Sequence, residues 1–326
     1  MKKQVAKSKG KMTRIEKLAT LNLSFLGLIY LNGWLAEATS VTALIAYLPT
    51  FIWLVPTLAL LVACLFVKKR KNVLLNCAGA IIFGLIITGF SVPSPFNEIE
   101  GEEFSLMTFN IHHADAGWEG IRKVVLEKKP YVVCFQEADD INHHGSAVGD
   151  LPGYFVERLG GLAIASTDRL SNVKPIQLTP GTREALEAQA GNGAQIVNVH
   201  LKSFNIGAYS RHPWSLPAHV KTIADMHEAQ IEALVARYKG KPDCVITGDF
   251  NNPPSGDNYR TLNGQFNDAF GAKGWGFGYT YPSSFPLLRI DYAFTTDIKP
   301  LAAEVVNTTQ SDHRPVFFKL LLYRPT

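Results

Sequence analysis

Hydrophobic and polar residues follow two different patterns along this chain, and the change falls near residue 93. Before that point, residues 18–36, 41–67 and 73–92 carry no charged side chain. Each is long enough for a helix that crosses a bilayer, which takes about 20 apolar residues. A signal peptide has one short apolar core and no further spans. The pattern therefore predicts three transmembrane helices, with Pro49 and Pro56 kinking the second.

The remainder of the 326-residue chain shows the shorter periods of a mixed α/β domain. Residues 104–110 alternate, residues 117–128 have helical spacing and residues 131–135 are an apolar run, which predicts a strand, a helix and a strand. Further strands are predicted at residues 194–201, 243–247, 290–295 and 315–322, and a helix at residues 219–238. The predicted organisation is a basic segment (1–17), a membrane domain (18–92), a linker (93–103) and the α/β domain (104–326).

Basic residues cluster at the ends of the predicted spans. Seven lysines and arginines lie in residues 1–17 and four lie in residues 68–71, whereas the loop near Thr39 and Ser40 has none. The positive-inside rule places both basic segments in the cytoplasm, so three spans deliver the α/β domain to the other side. We expect a multi-pass cell-membrane protein whose α/β domain is extracytoplasmic. Its evident partner is the lipid bilayer, and no protein partner is identifiable.

The net charge of the whole chain differs in sign from that of the residues after the predicted membrane domain. The whole chain carries +4, but from residue 93 onward there are 21 lysines and arginines against 26 aspartates and glutamates, a net charge of −5. Proteins that bind duplex nucleic acid tightly neutralise its phosphates with lysine and arginine. The α/β domain is thus a poor candidate for such binding. Cys134 and Cys244 lie in apolar strand-like runs, which suits buried thiols better than a disulfide.

Polar side chains stand where several predicted strands end. A buried polar group without a partner costs roughly 1–3 kcal/mol, so these positions indicate a site. Hard divalent cations prefer carboxylate and amide oxygens, which Glu137, Asn110 and Asp312 offer. Histidines beside them can exchange protons near neutral pH. The strand-end residues are Asn110, Gln136, Glu137, His200, Asp249, Asn251, Asp291, Asp312 and His313.

Six short motifs follow one another along the chain: Met107-Thr-Phe-Asn-Ile, Phe135-Gln-Glu, Asn198-Val-His-Leu, Gly248-Asp-Phe-Asn, Arg289-Ile-Asp-Tyr and Ser311-Asp-His-Arg-Pro. In this order they resemble the endonuclease/exonuclease/phosphatase superfamily, over about residues 104–322. That group includes pancreatic-type deoxyribonucleases, abasic-site endonucleases, neutral sphingomyelinases and inositol polyphosphate phosphatases. The resemblance implies two mixed β-sheets packed face to face and flanked by helices, a four-layer sandwich, and metal-dependent hydrolysis of phosphate esters with Mg²⁺ or Mn²⁺.

The resemblance also implies a role for each of these residues. Glu137 resembles the main metal ligand, Asn110 assists the metal or the phosphate, and Asp312 lies near the metal. Asp249 and Asn251 resemble the pair that orients the attacking water and the phosphate. Asp291 resembles the group that orients His313, and His200 a histidine for proton transfer or phosphate stabilisation. The identity of the general base stays open.

Other residues have two interpretations. Arg183 contacts phosphate or has a structural role, and Asp291 alone could pair with Arg289. The glycine-rich aromatic segment at residues 271–281 is a mobile loop beside the site or a packed connection. Four histidines lack the spacing of a zinc cluster, which favours loop or rim positions. They are His112, His113, His143 and His144.

The sequence therefore predicts a membrane-anchored, divalent-metal-dependent phosphodiesterase or phosphatase. Its substrate is a phosphate ester, either a phospholipid headgroup or nucleic acid. A nuclease of the deoxyribonuclease type remains an alternative, as does a catalytically inert binding domain with the same fold. The sequence does not decide among them, because one fold hosts many functions.

Overall fold

Two mixed β-sheets form the centre of the protein. The computed structural model describes residues 12–68, 70–95, 100–140, 145–180, 184–205 and 212–323. In chain order the strands are β1 (Gly101–Asn110), β2 (Val132–Gln136), β3 (Asp139–Asp140), β4 (Gly145–Ser146), β5 (Phe155–Leu159), β6 (Leu162–Ser166), β7 (Ser171–Gln177), β8 (Glu184–Gln189), β9 (Gln195–His200), β10 (Cys244–Asp249), β11 (Asn267–Asp268), β12 (Asp291–Thr295), β13 (Lys299–Val305) and β14 (Val316–Tyr323).

Each large sheet has one parallel pair of strands at its centre. The order is β13-β14-β1-β2-β6-β5 in the first sheet and β11-β12-β10-β9-β8-β7 in the second, while β3 and β4 pair with each other. The parallel pairs are β1 with β2 and β9 with β10. The inner faces of the two sheets meet in one apolar core that includes Leu106, Ile164, Ile196 and Val245.

Helices cover the outer faces of both sheets. Ile121 and Val125 of the helix after β1 pack on the first sheet, and Ile231 and Leu234 of the long helix before β10 pack on the second. The predicted four-layer sandwich is therefore confirmed. The helices are α1 (Arg14–Asn32), α2 (Ser40–Tyr47), α3 (Val55–Cys64), α4 (Lys71–Ile87), α5 (Trp118–Lys128), α6 (Leu216–Tyr238), α7 (Asp257–Asn263) and α8 (Ala269–Lys273), with 3₁₀ turns at Gly33–Leu35, Thr50–Leu54, His112–Ala114 and Pro213–Ser215.

The amino-terminal helices pack on one another beside the sandwich. In this group α1 contacts α3 and α4. The amide of Asn22 on α1 donates a hydrogen bond of 2.8 Å to the hydroxyl of Thr57 on α3. Among the described residues, one helix, Arg14–Leu35, is by itself long and apolar enough to cross a membrane. The apolar helix Lys71–Ile87 is shorter, with 17 residues.

The second predicted span is not one continuous helix. Ser40–Tyr47 and Thr50–Cys64 meet that test only as a pair, and they are bent by 86° at the break. The break falls at Leu48, whose extended backbone has a ψ of 149°, and at Pro49, which has no N–H group to continue a helix. The prediction of three transmembrane helices is therefore wrong by this test: among the described residues one helix, or two if the bent pair is a single span, has the length and composition to cross a membrane. Helix α2 keeps contacts with α1 but packs mainly on α6.

Two further predictions are decided by the fold. All four cysteines lie in the described ranges, and each is a buried free thiol, as expected. The aromatic segment near residue 275 is a packed connection, because the Phe277 ring stacks on Tyr279 and contacts Phe90 at 5.0 Å between centroids. Ser91 forms a backbone bridge with Gly276.

A buried pair of amides links the two sheets. The Asn198 amide on β9 donates to the carbonyl of Phe135 at 2.8 Å and to that of Ala163 at 3.0 Å, both in the opposite sheet. Its oxygen accepts from the Gln136 amide at 2.7 Å. Both side chains are fully buried. Such a network fixes how the sheets face each other, because a buried polar group is stable only with its partners in place.

We therefore expect Asn198→Leu to lower the free energy of unfolding by about 2–4 kcal/mol, because two carbonyls and one amide lose their partners inside the core. The matched control Asn263→Leu changes an exposed amide at the end of α7 and should shift stability by less than about 0.5 kcal/mol. Urea unfolding of the full chain in detergent micelles measures both. Equal shifts in the two variants would contradict the structural role of Asn198.

Candidate active site

The parallel strands deliver their last residues to one edge of the sandwich. β1 ends at Asn110 and β2 is followed by Glu137, while in the other sheet β9 ends at His200 directly beside Asp249 of β10. Asp249 is in turn opposite Asp291, the first residue of β12. The structure thus brings together strand-end residues that are up to 181 positions apart in the chain.

Part of this edge borders a cavity of about 440 Å³, whose lining does not include Asn110, His200 or Asp291. Glu137, Asp249, Asp312 and His313 line it, together with Asn251. No lysine or arginine is found among the described residues that line it. The remaining lining residues are Tyr47, His112, Ser203, Phe204, Asn205, Pro253, Tyr281, Leu288 and Ile290.

Asn110 connects acidic groups of the two sheets. Its amide nitrogen donates to Asp249 Oδ2 at 2.9 Å and lies 3.4 Å from Glu137 Oε1. Its amide oxygen accepts from the backbone N–H of His112 at 3.1 Å. The hydroxyl of Ser311 donates to the Asn110 carbonyl at 2.7 Å and so ties the Ser311-Asp312-His313 turn to β1. In this arrangement Asn110 holds two carboxylates in place.

His313 lies between two buried carboxylates. Its Nδ1 is 2.9 Å from Asp291 Oδ2, and its Nε2 is 3.7 Å from Asp249 Oδ2. Burial by itself lowers the pKa of the imidazole, but the charges of Asp291 and Asp249 outweigh it and raise the pKa to about 10. His313 is therefore an imidazolium at neutral pH. The contact with Asp291 fixes its ring orientation, and Asp291 does not pair with Arg289, which bonds Asp268 at 2.8 Å.

Asp249 is held by the turn that follows it. The backbone N–H of Asn251 donates to Asp249 Oδ1 at 2.8 Å, and the Asn251 amide donates to the Leu201 carbonyl at 3.1 Å. Burial, together with nearby Asp291, raises the pKa of Asp249 above its ordinary value, although His313 opposes the shift. Gly248 is required here, because at its φ of 142° a Cβ atom would lie 1.9 Å from the Val199 carbonyl oxygen.

Glu137, the residue after β2, is partly exposed at this edge. Its side chain is 19% exposed, and its oxygens lie 3.4 Å from His113 Nε2 and 3.6 Å from His200 Nε2. These distances exceed those of good hydrogen bonds, so the carboxylate has lone pairs available for a further ligand. The ring of His113 is fixed in turn by Asp139, whose carbonyl is 3.0 Å from Nδ1.

Sequence reasoning missed the role of His113. Its neighbour His112 lines the cavity as a rim residue, in line with the prediction, but His113 contacts the central acid. Positive φ angles at both histidines, 45° and 54°, turn His113 towards Glu137. Positive φ is uncommon outside glycine, and although histidine, asparagine and aspartate adopt it more often than other residues, the sequence gives only a weak signal for it.

The donors present suit a hard divalent cation. Glu137 and Asp312 contribute carboxylates to the same cavity. A second group of possible ligands, Asp249, Asp291 and His313, has donor atoms within 4.8 Å of one another and is buried. Each nitrogen of His313 already faces a carboxylate, which favours an ion-paired chain over metal coordination in that group. Oxygen donors of this kind are those that Mg²⁺ and Mn²⁺ prefer.

Some candidate residues lie elsewhere or cannot be placed. Arg183, His143 and His144 lie outside the described residues. His227 is buried in α6 with its Nε2 2.8 Å from the Lys202 carbonyl, and burial lowers its pKa to about 4. It is therefore a neutral packing residue.

The sequence match and the geometry agree on the class of protein. Residues 107–313 match the sequence model of the Endonuclease/Exonuclease/phosphatase family. The chain belongs to this family, as the six motifs predicted. Comparison with curated proteins gives no match.

Solved structures share the fold at low sequence identity. One is the 3'-5' exonuclease NExo from Neisseria meningitidis, with a TM-score of 0.52 and 17% identity over 66% of this chain and 98% of that chain. Another is the 3' phosphatase NExo from Neisseria bound to product DNA hairpin, with a TM-score of 0.51 and 16% identity over 66% and 98%. Humanized D. rerio TDP2 has a TM-score of 0.50 and 15% identity over 67% and 98%. Identities this low establish the fold and leave the substrate open.

The raised pKa of His313 predicts a pH-dependent contribution from Asp291. The folded-state pKa of about 10 exceeds the ordinary value of 6.5, so the stabilisation is complete below pH 6.5 and is lost as the pH rises through about 10. We expect Asp291→Asn to cost about 1–2 kcal/mol near pH 6 and less near pH 10. Thermal unfolding of the full chain in EDTA measures this.

The matched control for that experiment is Asp297→Asn, an exposed carboxylate just beyond the same strand. Its effect should be small and independent of pH. A penalty for Asp291→Asn that stays constant from pH 6 to pH 10 would contradict the pairing of Asp291 with charged His313.

Proposed function

We propose that this protein is a membrane-anchored, divalent-metal-dependent hydrolase of phosphate esters. One observation carries the proposal: the strand-end cavity presents Glu137, Asp249 and Asp312 together with His313, and no lysine or arginine occurs among its described lining residues. A phosphate group would meet net negative charge there. A divalent cation bound to the carboxylates removes that conflict and completes an anion-binding site.

Glu137 and Asp312 are the residues that would hold Mg²⁺ or Mn²⁺. Asn110 would orient Glu137. When bound, the cation neutralises phosphate oxygens and stabilises charge that develops in the transition state. The long contacts of Glu137 to His113 and His200, 3.4 Å and 3.6 Å, support this assignment because they leave its oxygens only weakly engaged.

The other side chains handle water, phosphate and protons. Asp249 and Asn251 orient a water molecule for attack on phosphorus, and Asp249, with its raised pKa, accepts a proton from that water. A P–O bond to the water oxygen forms while the ester P–O bond breaks. His200, whose Nε2 lies 3.6 Å from Glu137, is the acid that donates a proton to the leaving oxygen, so one proton is accepted by Asp249 and one is supplied by His200.

His313 stabilises the phosphate while these bonds change. Protonated His313 carries a positive charge, and its Nε2 lies 3.7 Å from Asp249 Oδ2. The contact of Asp291 with Nδ1 holds the His313 ring in place. A preorganised charge of this kind stabilises a developing negative charge better than mobile water does.

Membrane anchoring is supported by the surface of the amino-terminal helices. Leu28 of α1, Leu58 of α3 and Ile82 of α4 are 65%, 58% and 61% exposed. Exposed apolar side chains on all three packed helices form a surface suited to lipid rather than water. Glu16 of α1 accepts a hydrogen bond from Asn72 at the start of α4. This contact supports a topology in which the basic ends of α1 and α4 share one side of the membrane and the catalytic domain lies on the other.

This arrangement supports an extracytoplasmic catalytic domain by the positive-inside rule. We expect alkaline phosphatase fused after Tyr323 to be active in a bacterial host, because that enzyme needs an exported, oxidising environment. Green fluorescent protein fused at the same point should be dark. The reverse pattern would place the domain in the cytoplasm and overturn this part of the proposal.

For the chemistry, we expect Glu137→Gln and His313→Asn each to lower kcat/KM for Mg²⁺-dependent hydrolysis at least about 100-fold, because each removes a charge from the reacting centre. Purified full chain is assayed with bis-p-nitrophenyl phosphate and p-nitrophenyl phosphate. The matched controls Glu157→Gln and His212→Asn change exposed residues of the same types and should retain activity within twofold.

Full activity in both site variants, or hydrolysis that EDTA does not reduce, would contradict the proposal. Absence of Mg²⁺ binding by calorimetry together with absence of hydrolysis would favour an inert binding domain.

A further inference from the structure

The amino-terminal helices contribute a wall to the catalytic cavity. Tyr47, the last residue of α2, lines the same cavity as Glu137 and His313. Its ring is 6% exposed and contacts Phe204, with 4.2 Å between ring centroids. The catalytic cavity is therefore incomplete without a residue from the predicted membrane domain.

This wall is fixed firmly to the catalytic domain. Ala43 and Ala46 of α2 pack in one apolar cluster with Val220 and Ile223 of α6. The hydroxyl of Ser255 donates a hydrogen bond to the Ala46 carbonyl. Helix α2 thus lies on the catalytic domain and does not continue into α3.

A buried acid fixes the same junction from the start of α2. Glu37 Oε2 accepts from the backbone N–H of Asn258 at 3.1 Å. Burial raises the pKa of Glu37. Glu37 lies in the loop before α2. Asn258 lies in α7, only a few residues beyond the Gly248-Asp249-Phe250-Asn251 motif. The loop after that motif is therefore held between the catalytic strands and the amino-terminal helices.

A second cavity, of about 190 Å³, lies behind this wall on the side of the amino-terminal helices. The two cavities are near each other, because neighbouring residues line them: Tyr47 lines the first and Ala46 the second, and Pro253 lines the first and Pro254 the second. Most of the second cavity is apolar. Its further lining residues are Ile29, Tyr30, Asn32, Gly33, Trp34, Ile45, Thr50, Trp53, Ile86, Ile87, Ser255 and Arg260.

The lining of the catalytic cavity combines polar and apolar residues. Acids and His313 contribute charge, whereas Tyr47, Phe204, Leu288 and Ile290 supply apolar surface. Nucleic acid would call for basic side chains along its backbone, and none is found among the described lining residues. An amphiphile with a phosphate and a hydrocarbon part suits a lining that contains both kinds of surface.

We propose that the substrate is a phosphate ester of a membrane lipid, and that Tyr47 contacts its apolar part and makes the enzyme selective for it. The inference rests on the proposed function, because it assigns a substrate to the same site. The phosphate lies between Glu137 and His313, and the hydrocarbon passes Tyr47 towards α1 and α4. The segment before the catalytic domain is then part of the substrate site and not only an anchor.

The test compares lipids with soluble esters of the same headgroup. Purified full chain in dodecyl maltoside micelles with Mg²⁺ is given dioleoyl phosphatidic acid or glycerol phosphate, and phosphatidylglycerol or glycerophosphoglycerol. Mass spectrometry measures the products. For one of the two pairs we expect kcat/KM to be at least about tenfold higher for the lipid, which corresponds to about 1.4 kcal/mol.

Variants then test Tyr47 itself. Tyr47→Ala should reduce the lipid-to-soluble ratio of kcat/KM about tenfold, because the ring contact with the lipid is lost. The control Tyr323→Ala, at an exposed strand end, should leave that ratio unchanged. Since Tyr47→Ala can also loosen α2, the wild-type protein is photo-crosslinked with diazirine-bearing phosphatidic acid, and the labelled peptide should contain Tyr47.

The outcomes separate the two proposals. Hydrolysis of soluble esters without preference for either lipid would overturn the lipid assignment and leave the proposed function standing. Preference for a DNA hairpin over all four esters would do the same. Hydrolysis of no ester at all would defeat the proposed function itself. Crosslinks confined to peptides without Tyr47 would overturn its assigned role.

Discussion

The site depends on two amides buried between the sheets. Gln136 and Asn198 bond each other at 2.7 Å across the core, and each lies within two positions of a site residue in the sequence. Gln136 immediately precedes Glu137, and Asn198 lies two positions before His200, on the same face of β9. The amide pair that aligns the sheets therefore also sets the 3.6 Å distance between Glu137 and His200. Packing alone tolerates sliding of apolar faces, whereas a fully bonded polar network does not.

Electrostatics then determines what this edge can bind. Asp249 and Asp291 are buried, and His313 between them offsets part of their charge. Such an ion-paired group is costly to assemble and persists only with its hydrogen bonds satisfied. Glu137 and Asp312 face the same cavity without a lysine or arginine among its described lining residues. This excess of acid supports the proposal that the site binds a divalent cation.

Much of this was predictable from the sequence, and the exceptions have physical reasons. Central strands such as β2 and β10 are continuous apolar runs and were predicted, whereas β7 is an exposed edge strand with Lys174 and Pro175 and gives little signal. Short motifs located the acids and histidines. The contact of His113 with Glu137 depends on left-handed backbone angles, and the wall formed by Tyr47 depends on a bend at Pro49. Both bring together residues far apart in sequence, which no local pattern encodes.

We propose that Glu137 and Asp312 hold a divalent cation opposite His313, with phosphate between them. The decisive measurement is anomalous scattering from crystals of the full chain grown with Mn²⁺ and phosphate. We expect a manganese peak against the Glu137 and Asp312 carboxylates, with phosphate between the metal and His313. A peak coordinated instead by Asp249, Asp291 and His313, or no peak at saturating Mn²⁺, would contradict it.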